Sequence, residues 1–203
     1  MDVIEVFADV ACPFTHVGLR RFEAYRRQRG STGPILRVRA WPLELVNHRA
    51  LDGPSLTPKI EALRAGVAPD LFAGFDEDRF PATTMPALAA EASAYRHGPR
   101  VGERFSLAVR AALFEDGLDV SDEGVLRDLC QCYGVPLPRE ADRCAVLADW
   151  AEGRRRGVAG SPHFFTAGAG FFCPSLDIGH DDNGYAVSFD PVGFERFVAA
   201  AFG

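Results

Sequence analysis

The chain of 203 residues is 47% hydrophobic and 25% charged, enough apolar side chain for one packed domain or a domain with a sizeable insertion, and not the composition of a disordered segment. Its formal net charge of -6 offers no basic field to nucleic acid or to an anionic membrane, and no apolar run is long enough to cross a bilayer. The five cysteines (Cys12, Cys130, Cys132, Cys144 and Cys173) form an odd set without a basic-then-apolar leader ahead of them, so free thiols and a cytoplasmic location are expected.

Residues Asp2 to Ala8 read as a buried strand, because Val3, Ile4, Val6 and Phe7 are β-formers with little polar interruption. Asp9 follows, either as a cap or solvated turn residue or as a carboxylate that raises the pKa of a nearby thiol or relays its proton. Cys12-Pro13-Phe14-Thr15 then opens a helix predicted to about Arg29, with Phe14, Val17, Gly18, Phe22 and Tyr25 on one face, proline in the first turn and Gly30 as the stop. Cys12 therefore sits at a helix N-terminus, where unpaired N–H groups and the dipole favour a thiolate; the plainer alternative is a small buried hydrophobe. Thr15 lies one turn later, placed to donate its hydroxyl to the sulfur or simply to cap the turn. His16 is read as a proton donor or partner of the thiolate, or as exposed and idle.

Ile35 to Trp41 alternates apolar and polar residues as a strand does, and Pro42 ends it, so strand, helix and strand make a parallel βαβ unit with a right-handed crossover. From Arg49 to Arg156 the pattern is helical: Thr57 to Ala65, an irregular linker from Pro69 to Met85, then Pro86 to His97, Gly102 to Phe114, a helix capped by Ser121 and stopped by Gly134, and Arg139 to Arg156. Cys130, Cys132 and Cys144 fall here without the spacing of a zinc site and read as structural.

The stretch Gly157-Val158-Ala159-Gly160-Ser161-Pro162 precedes a hairpin of strands Phe164 to Thr166 and Phe171 to Cys173. Pro174 to Gly184 is predicted as a polar loop, Tyr185 to Phe189 as an extra edge strand and Pro191 to Phe202 as a terminal helix. Cys173 is the remaining candidate for a second, resolving thiol, although its strand position favours burial. Asp177, His180, Asp181 and Asp182 are metal-ligand types without ligand spacing, and no metal is expected.

With strand, cysteine-proline dipeptide, amphipathic helix and late Gly-Ser-Pro in that order, the chain resembles the DsbA-like branch of the thioredoxin superfamily, which includes FrnE-type oxidoreductases, 2-hydroxychromene-2-carboxylate isomerases and kappa-class glutathione transferases. The resemblance implies an α/β thioredoxin-like domain, residues 1–48 and 157–203, interrupted by an all-helical insertion, residues 49–156. It implies a cis Pro162 facing the nucleophile and the backbone of Ser161 pairing with substrate, with Pro13, Phe14 and His16 beside them. The second motif cysteine of dithiol relatives is replaced by Thr15, so the motif cannot close its own disulfide. The expected activity is thiol-disulfide exchange through Cys12 alone, by mixed disulfides with a protein or with a small thiol of the glutathione or mycothiol type, and no tightly bound cofactor. The alternatives are a thiol-dependent isomerase or transferase and a non-catalytic binding module; a homodimer is compatible with each.

Overall fold

The computed structural model describes residues 2–30, 33–181 and 184–203. Strand β1 (Val3–Ala8) pairs in parallel and in register with β2 (Ile35–Ala40), Ile4 opposite Leu36 and Val6 opposite Val38, and α1 (Pro13–Gln28) is the crossover between them. The other edge of β1 takes β3 (His163–Thr166) antiparallel, and β4 (Ala169–Phe172) follows, giving the order β2-β1-β3-β4. Because side chains alternate across a strand, Ile4, Val6, Ala8, Leu36 and Val38 share one face. That face is sealed with Phe164 under Leu19 and Phe22 of α1 and Phe194, Phe197 and Val198 of α8 (Pro191–Phe202). Phe7 projects from the opposite face into edge-on contacts with Trp41 and Phe165. Helix α7 (Glu140–Arg155) lies over it so closely that a Cβ on Gly153 would stand 2.6 Å from the Trp41 ring.

Between β2 and β3 the chain is helical: α2 (Leu43–Asn47), α3 (Thr57–Gly66), a 3-10 turn at Glu77–Arg79, α4 (Met85–Arg96), α5 (Pro99–Phe114), α6 (Glu123–Tyr133) and α7. The helices share a buried cluster with the sheet domain, in which Leu88, Phe105, Val109 and Phe114 meet Val10, Val17, Ala40 and Cys173. They also close the free edge of β2. Glu103 accepts from the Leu36 amide at 2.8 Å, the Tyr95 hydroxyl accepts from Val38 N at 2.9 Å and donates to Leu36 O at 3.0 Å, and Asp149 accepts from Ala40 N at 3.2 Å. An edge strand with unpaired N–H groups is open to other chains, and these three side chains remove that exposure.

Several predicted elements differ from those observed. The polar loop placed at Pro174 to Gly184 is instead β5 (Leu176–Asp181), which pairs antiparallel with β6 (Gly184–Phe189) in a second, two-stranded sheet. Its Leu176 and Ile178 alternate with polar residues in a run that Gly179 and His180 disguised; Asp182 lies outside the described residues. The cap of α6 is Asp122, whose carboxylate accepts from Val125 N at 3.0 Å, not Ser121. Helix α5 starts at Pro99, earlier than predicted, and α2 has no counterpart among the predicted elements. Strand β4 ends at Phe172, which leaves Cys173 just beyond it with φ at 44°. Among the described residues no helix is long and apolar enough to cross a membrane.

Candidate functional site

The turn from β1 into α1 is built on a buried carboxylate. Asp9 is fully shielded; its Oδ1 accepts from Ala11 N and from the Thr84 hydroxyl, both at 2.8 Å, and its Oδ2 accepts from Leu43 N at 2.5 Å. Burial pushes this carboxyl above its ordinary range against the pull of those three donors. Asp9 is thus neither a helix cap nor a solvated turn residue. It ties the turn to the starts of α2 and α4.

Cys12 comes next, as the N-cap residue of α1 with φ -83° and ψ 112°. Its side chain does not cap the helix. The thiol donates instead to the carbonyl of Ser161 at 3.0 Å, and only 3% of the residue is exposed. Ser161 gathers the rest of the site: its hydroxyl accepts from Asp9 N at 3.0 Å and pairs with the Thr15 hydroxyl at 2.9 Å. The expectation that Thr15 donates to the sulfur is therefore corrected, because its hydroxyl is turned to Ser161 Oγ. The Ser161–Pro162 peptide is cis, and Pro162 Cγ lies 3.7 Å from where a Cβ on Gly18 would stand, so the ring packs on α1. Pro13 is buried in the first turn, and Phe14 is half-buried against the helical core.

His16 does not reach the site. It is fully buried, stacked on Phe114 with ring centroids 5.3 Å apart and edge-on to Phe72 at 5.7 Å. Its Nε2 is 3.0 Å from Glu115 Oε1, out of line for a hydrogen bond, and Arg20 holds that same oxygen at 2.6 Å. Burial, with the charges of Arg20 and Arg110 adding to it, lowers the imidazole from 6.5 to about 3. A neutral ring sealed in phenylalanine neither donates a proton to Cys12 nor binds substrate, which corrects both sequence expectations. His163 is buried beside Pro162, stacked on Phe165 at 4.5 Å, and its Nδ1 accepts from Ala159 N at 3.0 Å, which fixes the loop. Burial, then the charge of Arg156, lowers its pKa and keeps that nitrogen an acceptor.

Sequence reasoning missed the polar group behind the turn. Arg110 of α5 is fully buried, donates to Glu91 at 2.5 Å and to Ser106 Oγ at 2.7 Å, and sets a positive charge near both Asp9 and His16. Only facing helices bring Glu91 and Arg110 together, so spacing gave no signal. Beside the turn, Ala11, Leu43 and Leu56 line a small groove together with the cationic Arg49 and Lys59 and the acidic Asp52. Among the described residues no three His, Cys, Asp or Glu side chains converge as metal ligands.

Residues 3–179 match the family model described as a DSBA-like thioredoxin domain. No functionally curated protein matches the sequence. Among solved structures, the cytosolic disulfide reductase DsbM from Pseudomonas aeruginosa, determined with GSH, aligns with a TM-score of 0.63 at 15% identity over 83% of this chain and 87% of its own. A 2-hydroxychromene-2-carboxylate isomerase aligns with a TM-score of 0.60 at 15% identity over 84% of this chain and 88% of its own. At such identity these likenesses establish a common fold.

Proposed function

The chain belongs to the family of DSBA-like thioredoxin domains, and from that premise we propose that it is a thiol-disulfide oxidoreductase whose reacting group is Cys12. The observation that carries the reading is the sulfur itself, held at the first turn of α1 on the carbonyl of Ser161 at 3.0 Å. A thiolate in that place attacks one sulfur of a disulfide, forms a mixed disulfide and expels the other half as a thiolate. Thr15 and Ser161 act as positioning residues: their paired hydroxyls fix the loop that carries the carbonyl against the turn that carries the thiol.

The burial of Cys12 favours a small disulfide over a folded protein as partner. In the groove beside Ala11, Arg49 and Lys59 outweigh the single carboxylate of Asp52 and favour an anionic one, a class that includes glutathione-type thiols. The structural likeness to a cytosolic disulfide reductase supports a cytoplasmic location.

The test is exposure of the purified protein and of Cys12→Ser to oxidised glutathione, followed by peptide mapping and a coupled assay of disulfide reduction. Cys12 is expected to be found in a disulfide, with glutathione or with a second thiol of the chain, and Cys12→Ser should lose at least about 100-fold in turnover, as removal of a nucleophile does. If Cys12→Ser keeps an activity on an electrophile plus thiol, the protein is an isomerase or transferase and the oxidoreductase reading fails.

A further inference from the structure

We propose that Cys173 resolves the mixed disulfide on Cys12, so that the protein passes through an internal Cys12–Cys173 disulfide. The inference rests on the exchange chemistry assigned to Cys12 above and names the group that releases its product. It replaces the motif cysteine that Thr15 displaces with a thiol from the far end of the chain.

Both thiols flank the same two residues. Cys12 Sγ donates to Ser161 O at 3.0 Å, and the Cys173 backbone amide donates to Pro162 O, also at 3.0 Å. The β3–β4 pairing places His163 opposite Phe172, so one step further Cys173 stands opposite Pro162. The Pro162 ring packs on α1 at Gly18, and Cys173, just past the end of β4, is tied to Pro162 through its backbone amide. Consistent with that, Cys173 is buried in one cluster with Val10 and Val17, which bracket Cys12 in the chain.

The backbone at Cys173 points the same way. Its φ of 44° lies in the left-handed region that favours glycine, and among the described residues only His48 and Ala167 share it without being glycine. The buried cysteine held there stands against the loop that contacts the first thiol. Burial pushes the Cys173 thiol up to about 12, with the charge of Cys12 a smaller contribution, so Cys173 stays a protonated thiol until a base takes its proton.

The electrons balance. Cys12 thiolate attacks the disulfide RS–SR′, a bond forms between Sγ and the sulfur of R, and R′S⁻ leaves. The departing thiolate takes the proton of Cys173, whose sulfur then attacks Cys12 Sγ; the bond to R breaks and RS⁻ leaves. Two protein thiols are oxidised to one disulfide while the substrate is reduced to two thiols. Two molecules of a low-molecular-weight thiol then reduce the protein and become a disulfide themselves.

The experiment treats wild type, Cys173→Ser, Cys173→Ala and Cys12→Ser with oxidised glutathione, quenches by alkylation and maps the cross-linked peptides. Wild type is expected to yield a Cys12–Cys173 linked peptide and little glutathione on Cys12. Both Cys173 variants should hold glutathione on Cys12 at least ten-fold longer, and Cys12→Ser should form neither species. The bridge in wild type is read without any substitution, so a variant that folds poorly does not decide the matter. If wild type forms no bridge and keeps its glutathione as long as the Cys173 variants do, the resolving role is overturned while exchange at Cys12 stands. If no form takes glutathione on Cys12, both readings fall.

Discussion

A neutral imidazole locked between Phe72 and Phe114 makes the stability of this protein depend on pH in a definite direction. His16 titrates near 6.5 when unfolded and near 3 when folded, so between those values the unfolded chain holds the extra proton. The stabilisation is complete above pH 6.5 and is lost as the pH falls, at up to about 1.4 kcal/mol per unit. His163, also lowered, acts with the same sign. Asp9 opposes them, because a carboxyl raised by burial takes its proton first in the folded state and gains stability as the pH falls through its raised value. Denaturant titrations of wild type and His16→Phe from pH 7 to about 4 isolate the imidazole: the variant should show the shallower loss, and equal slopes would mean that His16 charges without unfolding. That Cys12, Thr15, Ser161 and Pro162 come together was legible in the sequence. Their partners were not. Thr15 pairs with a residue 146 positions away, and His16, one turn from Cys12, is turned inward by aromatic rings of the linker and α5, which no local spacing reveals.

Among the elements, β2 shows how the helical block serves the sheet. Its outer edge would carry free N–H groups, and Tyr95 answers two of the edge's groups with one hydroxyl, donating to Leu36 O and accepting from Val38 N. Burial pushes that hydroxyl well above its ordinary pKa, so it stays protonated and keeps both bonds. Tyr95→Phe leaves a buried N–H without its acceptor and is expected to cost about 1–3 kcal/mol, with faster hydrogen exchange at the Val38 amide than at Val6. Unchanged exchange at Val38 would mean that another group takes the hydrogen bond. Strand β1 was readable as a run of β-formers with little polar interruption, and β2 from its alternation of apolar and polar residues. β5 was not, because its partner is β6 alone and its outward residues are Asp177 and Gly179, which carry the signature of a loop. Helix identity survived better than helix ends: α6 was placed correctly, yet its cap went to Asp122 because a serine and an aspartate stand side by side at its start.

On the scale of the whole molecule, the sheet and the helical block hold each other's buried surface. Trp41, only 5% exposed, is pressed between Phe7 of β1 and the backbone of α7 at Gly153, and Arg39 of β2 is bound at 2.7 Å to Asp149 on the same helix. The cluster that contains Leu88, Phe105 and Phe114 continues through Val10 and Val17 to Cys173, so removing the helices would expose the turn that carries Cys12. A shared core couples the unfolding of its parts, whereas two cores joined by a linker melt separately. Denaturant curves followed by tryptophan fluorescence, which reports Trp41 packed against α7 and Trp150 on α7 itself, and by far-UV circular dichroism, which reports the helices, are therefore expected to coincide in midpoint. Two separated midpoints would show that the block from α3 to α7 folds on its own, and the turn that carries Cys12 would then owe its geometry to docking between two independent units.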